Sequence, residues 1–165
     1  MRSQSAFWLG AVATVLLLGA CSVHITRNAD GSLTAPSTIS GDSLNAEIQA
    51  ALADPLVQDL TVDLQPGYMN VSGTRKRLDG EQLDTLSFRL DLGVGDGSLT
   101  ATVSKALIDG QAVDADRVAL WNERIANRLE NFSQRRSNSS LQSVTVDTNG
   151  VTLAWRIETN RSRGQ

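Results

Sequence analysis

The sequence predicts an α+β domain: a curved antiparallel sheet of about six strands on one long helix, with a short helix ahead of it. Three observations carry this. Leu86, Phe88, Leu90, Leu92 and Val94 alternate with small or polar residues, the period of a half-buried strand. Val118, Trp121, Ile125, Leu129 and Phe132 recur at helical spacing and form one apolar stripe. Short turn signals such as Pro66-Gly67 and Asn149-Gly150 join the extended segments, which favours antiparallel neighbours.

In chain order, Arg2 is followed by fifteen residues without charge, Ala6 to Ala20. That length suits a signal-peptide core and falls short of the roughly 20 residues of a membrane-spanning helix. The run closes on Leu18-Gly19-Ala20-Cys21, which resembles a bacterial lipobox. Small residues at Gly19 and Ala20 fit a peptidase cleft, and the Cys21 sulfur is a nucleophile that a diacylglyceryl donor can alkylate. Cleavage between Ala20 and Cys21 then leaves an acylated first residue. An ordinary secretory signal that happens to carry a cysteine is the plainer alternative. Ser22 after the cysteine favours the outer membrane, on its periplasmic side, in a cell with two membranes.

Without residues 1–20 the chain has 145 residues, with 14 Lys and Arg against 18 Asp and Glu. A net charge of −4 argues against nucleic-acid binding, which depends on neutralising phosphates. Residues 21–40 are rich in Ser, Thr, Asn, Gly and Pro and are expected to be the lipidated cysteine and a flexible tether. One α+β domain is expected over 41–160, and a polar tail over 161–165.

Asp42 or Ser43 is the expected cap of the first helix, whose stripe is Leu44, Ile48 and Leu52 and which Pro55 ends. Leu60, Val62 and Leu64 alternate as a strand, Pro66-Gly67 turns, and Tyr68 to Thr74 returns. Arg75, Lys76 and Arg77 open an exposed connection. They are candidate headgroup contacts if they lie at a groove mouth, and a solvated turn otherwise. After the strand at Leu86–Val94, Gly95-Asp96-Gly97-Ser98 turns the chain, and Leu99, Ala101 and Val103 continue the alternation. The glycines here belong to a hairpin, since a phosphate-cradling loop needs a helix at its end. Asp109-Gly110 ends that strand, and Asp114 or Asp116 caps the long helix. Val144 and Val146 lead into Asn149-Gly150, a favoured type I′ pair, and Val151, Leu153, Trp155 and Ile157 come back.

No catalytic constellation is recognisable. The single histidine, His24, lies in the expected tether and has no neighbouring ligand for a metal, and the single cysteine is the acylation site. Turn geometry and capping account for most carboxylates. No enzyme activity, cofactor or metal is expected. Leu60, Val62, Leu86, Phe88, Leu90, Val118, Trp121, Ile125, Leu129, Leu153 and Trp155 are expected to share one interior, as a packed core or the lining of an acyl groove.

The stretches LTVDLQPGYMNVSG, LSFRLDLGVGDGSLTATVSKALIDGQAV, NERIANRLE and SVTVDTNGVTLAWRI resemble the bacterial LmeA-like and YceB-like lipid-binding proteins. The likeness spans about residues 43–158 and lies in scaffold patterns: a "VSG" strand, a glycine-rich hairpin, an Asn-containing long helix and a final hairpin. It implies a fold akin to tubular lipid-binding domains, and binding of phospholipid or another lipid in the cell envelope. The alternative is a structural or assembly lipoprotein that holds an envelope protein partner over a fully packed core.

Overall fold

Ser40 ends a strand and starts a helix, and that junction reorganises the N-terminal part of the expected plan. The computed structural model describes residues 25–80, 82–133 and 138–159. The signal peptide, Cys21, His24 and the tail at 161–165 lie outside the described residues. From Leu33 to Ser40 the chain forms β2, paired antiparallel along its whole length with β9 (Gly150–Ile157). A two-residue strand, β1 (Thr26–Arg27), pairs with the start of β2. This part of the expected tether is therefore sheet. Its Ser/Thr-rich composition hides two inward contacts: Ile39 is buried, and Ser37 accepts the Trp155 indole N–H at 3.2 Å. Pro36 fits because β1 covers only Leu33 and Thr34, leaving an open edge at Pro36 where no N–H is needed.

Helix α1 (Gly41–Leu52) is capped by Ser40, whose hydroxyl accepts the Ser43 N–H, rather than by Asp42 or Ser43. Asp42 in the first turn suits the positive end of the helix dipole. A left-handed Ala53 (φ 49°) ends the helix ahead of Pro55.

The larger sheet has five strands in sequence order: β3 (Val57–Gln65), β4 (Tyr68–Lys76), β5 (Leu83–Gly95), β6 (Ser98–Ile108) and β7 (Gln111–Ala112). Asp96-Gly97 and Asp109-Gly110 both take positive φ at each residue, as type I′ turns require. Asp109-Gly110 thus makes a hairpin into β7 and does not simply end β6. Two bulges bend this sheet. Asp59 in β3 (φ 51°) and Lys105 in β6 (φ 52°) lie within the register shifts and are the extra residues. Each switches the buried parity: Val57 and then Leu60 and Val62 in β3, Val103 and then Ala106 in β6.

The smaller sheet runs β1-β2-β9-β8, with β8 at Ser139–Asp147. The outer edge of β8 meets two hairpin tips of the larger sheet, β3–β4 and β5–β6. Leu141 N–H donates to the Gly97 carbonyl at 2.7 Å, and Gly67 N–H donates to the Val146 carbonyl at 3.0 Å. The smaller sheet thereby closes one end of the core.

Helix α2 (Ala115–Phe132) is capped by Asp114, which accepts the Asp116 and Arg117 N–H groups. It packs on β6 and on α1, and α1 packs on β3. The two helices therefore bridge the free edges of the curved sheet. Asn45 of α1 accepts the Val62 N–H at 2.6 Å, and Asn122 of α2 accepts the Val103 N–H at 2.7 Å. Unpaired edge N–H groups in β3 and β6 are satisfied in this way. The protein is α+β as expected, but with two helices side by side and two antiparallel sheets in place of a single six-stranded one. The stripe on α2 also differs at its ends: Phe132 is 43 % exposed, and Val118 is only partly buried.

Candidate functional site

The expected interior residues come together. Leu60, Val62, Leu86, Phe88, Leu90, Trp121, Ile125, Leu129, Leu153 and Trp155 belong to one buried cluster, with Val118 against it. Phe88 and Trp121 meet with ring centroids 5.6 Å apart. Leu44, Ile48, Ala51 and Leu52 of α1 occupy the same interior. Leu90, Ile125, Leu129 and Leu153 have no exposed surface.

Arg75 and Lys76 end β4, and Arg77 follows it. The Arg75 Nε donates to Asp54 Oδ2 at 2.9 Å, and Arg117 Nη2 reaches the same oxygen at 2.7 Å. Burial pushes the Asp54 carboxyl up, but the hydrogen bonds from Arg75 and the Leu56 N–H, with both guanidinium charges, hold it below the usual carboxylate range. Arg77 donates to Asp84, Gln82 and Asp109. Its hydrogen bond to Asp84 leads the effects that hold its guanidinium above the ordinary arginine range. Two of the three candidate cations are thus held by carboxylates, while Lys76 is exposed.

A surface groove of about 510 Å³ lies where α1 and α2 meet. Ala50, Ala51 and Ala53 supply small side chains, and Phe132 projects from the last turn of α2. Arg117, Arg124 and Arg128 share one face of α2 because seven and then four residues separate them. Arg117 is held by Asp54, and Arg128 by Glu47 at 2.6 Å. Arg124, between them, has no acidic partner among the described residues and lines the groove. An apolar floor beside an uncompensated guanidinium suits a ligand with an aliphatic part and an anionic group.

Sequence reasoning passed over this groove, since Arg124 and Arg128 stand outside the apolar stripe of α2. The combination that marks it is an alanine-rich last turn in α1 with arginines recurring on one face of α2. Among the described residues no group of three or more His, Cys, Asp or Glu side chains converges, and no helix is long and apolar enough to cross a membrane. Compared with protein-family models, curated proteins and solved structures, the chain matches none.

Proposed function

We propose that this chain is a membrane-anchored bacterial lipoprotein of the cell envelope whose domain binds phospholipid. The acyl part lies along the seam of α1 and α2, and the phosphate meets Arg124. The observation that carries the reading is the groove, with alanines on its floor, Phe132 exposed at its end, its one lining acid Glu47 held by Arg128, and Arg124 without an acidic partner among the described residues. Its volume of about 510 Å³ is within the range of small-ligand sites. The lipobox-like segment at Cys21 and the likeness to LmeA-like and YceB-like proteins point the same way. The role is binding; no catalytic step, cofactor or metal enters it. Localisation follows from the acyl anchor, on the periplasmic side of the outer membrane in a cell with two membranes.

A second reading, an assembly lipoprotein that holds an envelope protein, is favoured by the absence of solvent exposure at Leu90 and Ile125. One experiment separates the two. The full-length protein is purified from its membrane and its non-covalent organic extract examined by mass spectrometry. Stoichiometric phospholipid that exchanges with added vesicles, and falls sharply in Arg124→Glu, is the expected result. A clean extract with no lipid uptake, together with one stable envelope protein caught by crosslinking, overturns it in favour of the second reading.

A further inference from the structure

Strand β1 limits how far the domain can stand from its lipid. We infer that the β1 end of the smaller sheet docks on an anionic bilayer surface, an inference that rests on the acylation of Cys21 proposed above. Only Ser22, Val23 and His24 separate Cys21 from Ile25, the first described residue. Four Cα–Cα links reach at most about 14 Å however they are arranged. The next residues provide no slack. Thr26 and Arg27 pair with Thr34 and Leu33, and the Asn28 amide donates to Ser32 and Thr34 at 2.8 and 3.1 Å. The headgroup layer takes up roughly 5–8 Å of that reach. What is left is about one Debye length at physiological salt, so charges at this end sit within the field of the headgroups.

The chemistry of this end suits that surface. Ile25 is 57 % exposed, an apolar side chain beside the attachment point. Arg27 is exposed and has no acidic partner among the described residues. The chain also leaves here at its other terminus: Ile157 pairs with Leu33, and the Thr159 hydroxyl donates to the Gly31 carbonyl at 2.8 Å. Arg156 holds both nearby carboxylates, Asp30 and Glu158. With both carboxylates held by Arg156, Arg27 is left at this end as a cation with no acidic partner among the described residues.

The test uses the full-length acylated protein in vesicles that contain phosphatidylglycerol and a headgroup-linked quencher. With Cys21 acylated, one introduced cysteine takes a fluorophore alone, at Ala29→Cys in the β1–β2 turn or at Leu78→Cys. Leu78 follows β4, about 30 Å of strand from the tip that meets β8. Quenching several-fold stronger at position 29 than at 78 is expected, and equal or reversed quenching overturns the inference. A long Gly-Ser insert after Ser22 then removes the tether limit. The contrast should persist with phosphatidylglycerol and vanish with phosphatidylcholine; its loss in both overturns the docking. The mass of the mature chain is read first. An unacylated Cys21 overturns the lipoprotein reading, whereas an acylated chain without the contrast overturns the docking alone.

Discussion

Arg117 at the start of α2 and Asp54 just after α1 meet at 2.7 Å, tying together the ends of two helices that are 63 residues apart in sequence. Arg75 of β4 shares the same carboxylate oxygen, so one acid fastens three elements. The Asp54 side chain is only 10 % exposed, which makes the pair more than a screened surface contact. Removing the acid leaves two guanidinium groups without their partner. Asp54→Ala should therefore destabilise by about 2–4 kcal/mol at neutral pH, read from urea denaturation. Because the folded carboxyl sits below the usual carboxylate range, its contribution is present above the unfolded value and lost as pH falls through the folded one. The gap between wild type and variant should accordingly close in acid. A gap that stays constant down to strongly acidic pH would rule out this account.

Gly150 illustrates what the sequence could and could not say. Asn149-Gly150 reads as the centre of a type I′ turn, yet neither residue has positive φ, and Asp147 pairs with Gly150 across the turn. Thr148 and Asn149 span it instead, with the Asn149 N–H on the Asp147 carboxylate at 2.7 Å. Gly150 is a strand residue, and a Cβ there would collide with the Ile39 carbonyl oxygen of β2. Gly150→Ala should cost about 3 kcal/mol or more through forced separation of β2 and β9. Gly67→Ala, which has open space but φ of 89°, should cost about 1–2 kcal/mol. Thermal melts of the two variants give the order; the reverse order would contradict the close approach.

Local pattern revealed the elements that alternate cleanly, and missed those defined by partners far away in sequence. The β5 face and the α2 stripe were legible because burial leaves a period in the chain. Strand β2 was not, since LTAPSTIS has few large apolar residues and gains its order from β9, more than a hundred residues later. Bulges at Asp59 and Lys105 were equally hidden, because one extra residue simply breaks the alternation. The α1–α2 groove depends on how two helices cross between sheet edges, which no window of sequence contains.

Leu90 tests how tightly the interior is filled. It has no exposed surface and faces the helices from the central strand β5. Leu90→Ala should cost about 2–5 kcal/mol in chemical denaturation. A loss below about 1 kcal/mol would mean that the interior is roomy enough to relax, and would return it to consideration as an acyl site.

Asn122 should matter through one hydrogen bond. Its side-chain oxygen takes the Val103 N–H, which has no strand beyond it to pair with, since β7 reaches only Leu107 and Ile108. Asn122→Ala leaves that donor unsatisfied at about 1–3 kcal/mol. Amide exchange at Val103 should accelerate more than at Val71, in the interior of the same sheet. Uniform acceleration at both would indicate global destabilisation rather than a freed edge.

The boundary of the folding unit gives the sharpest divergence between sequence and structure. A domain over 41–160 would begin at Gly41, so a chain cut there loses all eight register pairs between β2 and β9. It also loses Ile39, at 1 % exposure, and the Ser40 cap of α1. Val151, Leu153 and Trp155 are then left beside an unpaired strand edge, a ready template for association. The cap alone accounts for about 1 kcal/mol, and burial of an isoleucine for another 2–3 kcal/mol. Together with the lost strand pairing, this approaches the whole stability of a small domain. A chain covering 41–160 should therefore be unfolded or aggregated by circular dichroism and size-exclusion chromatography. A chain covering 25–160 should melt cooperatively. If the shorter chain melts at the same temperature as the longer one, β2 is dispensable, and the tether expected from composition is restored for residues 25–40.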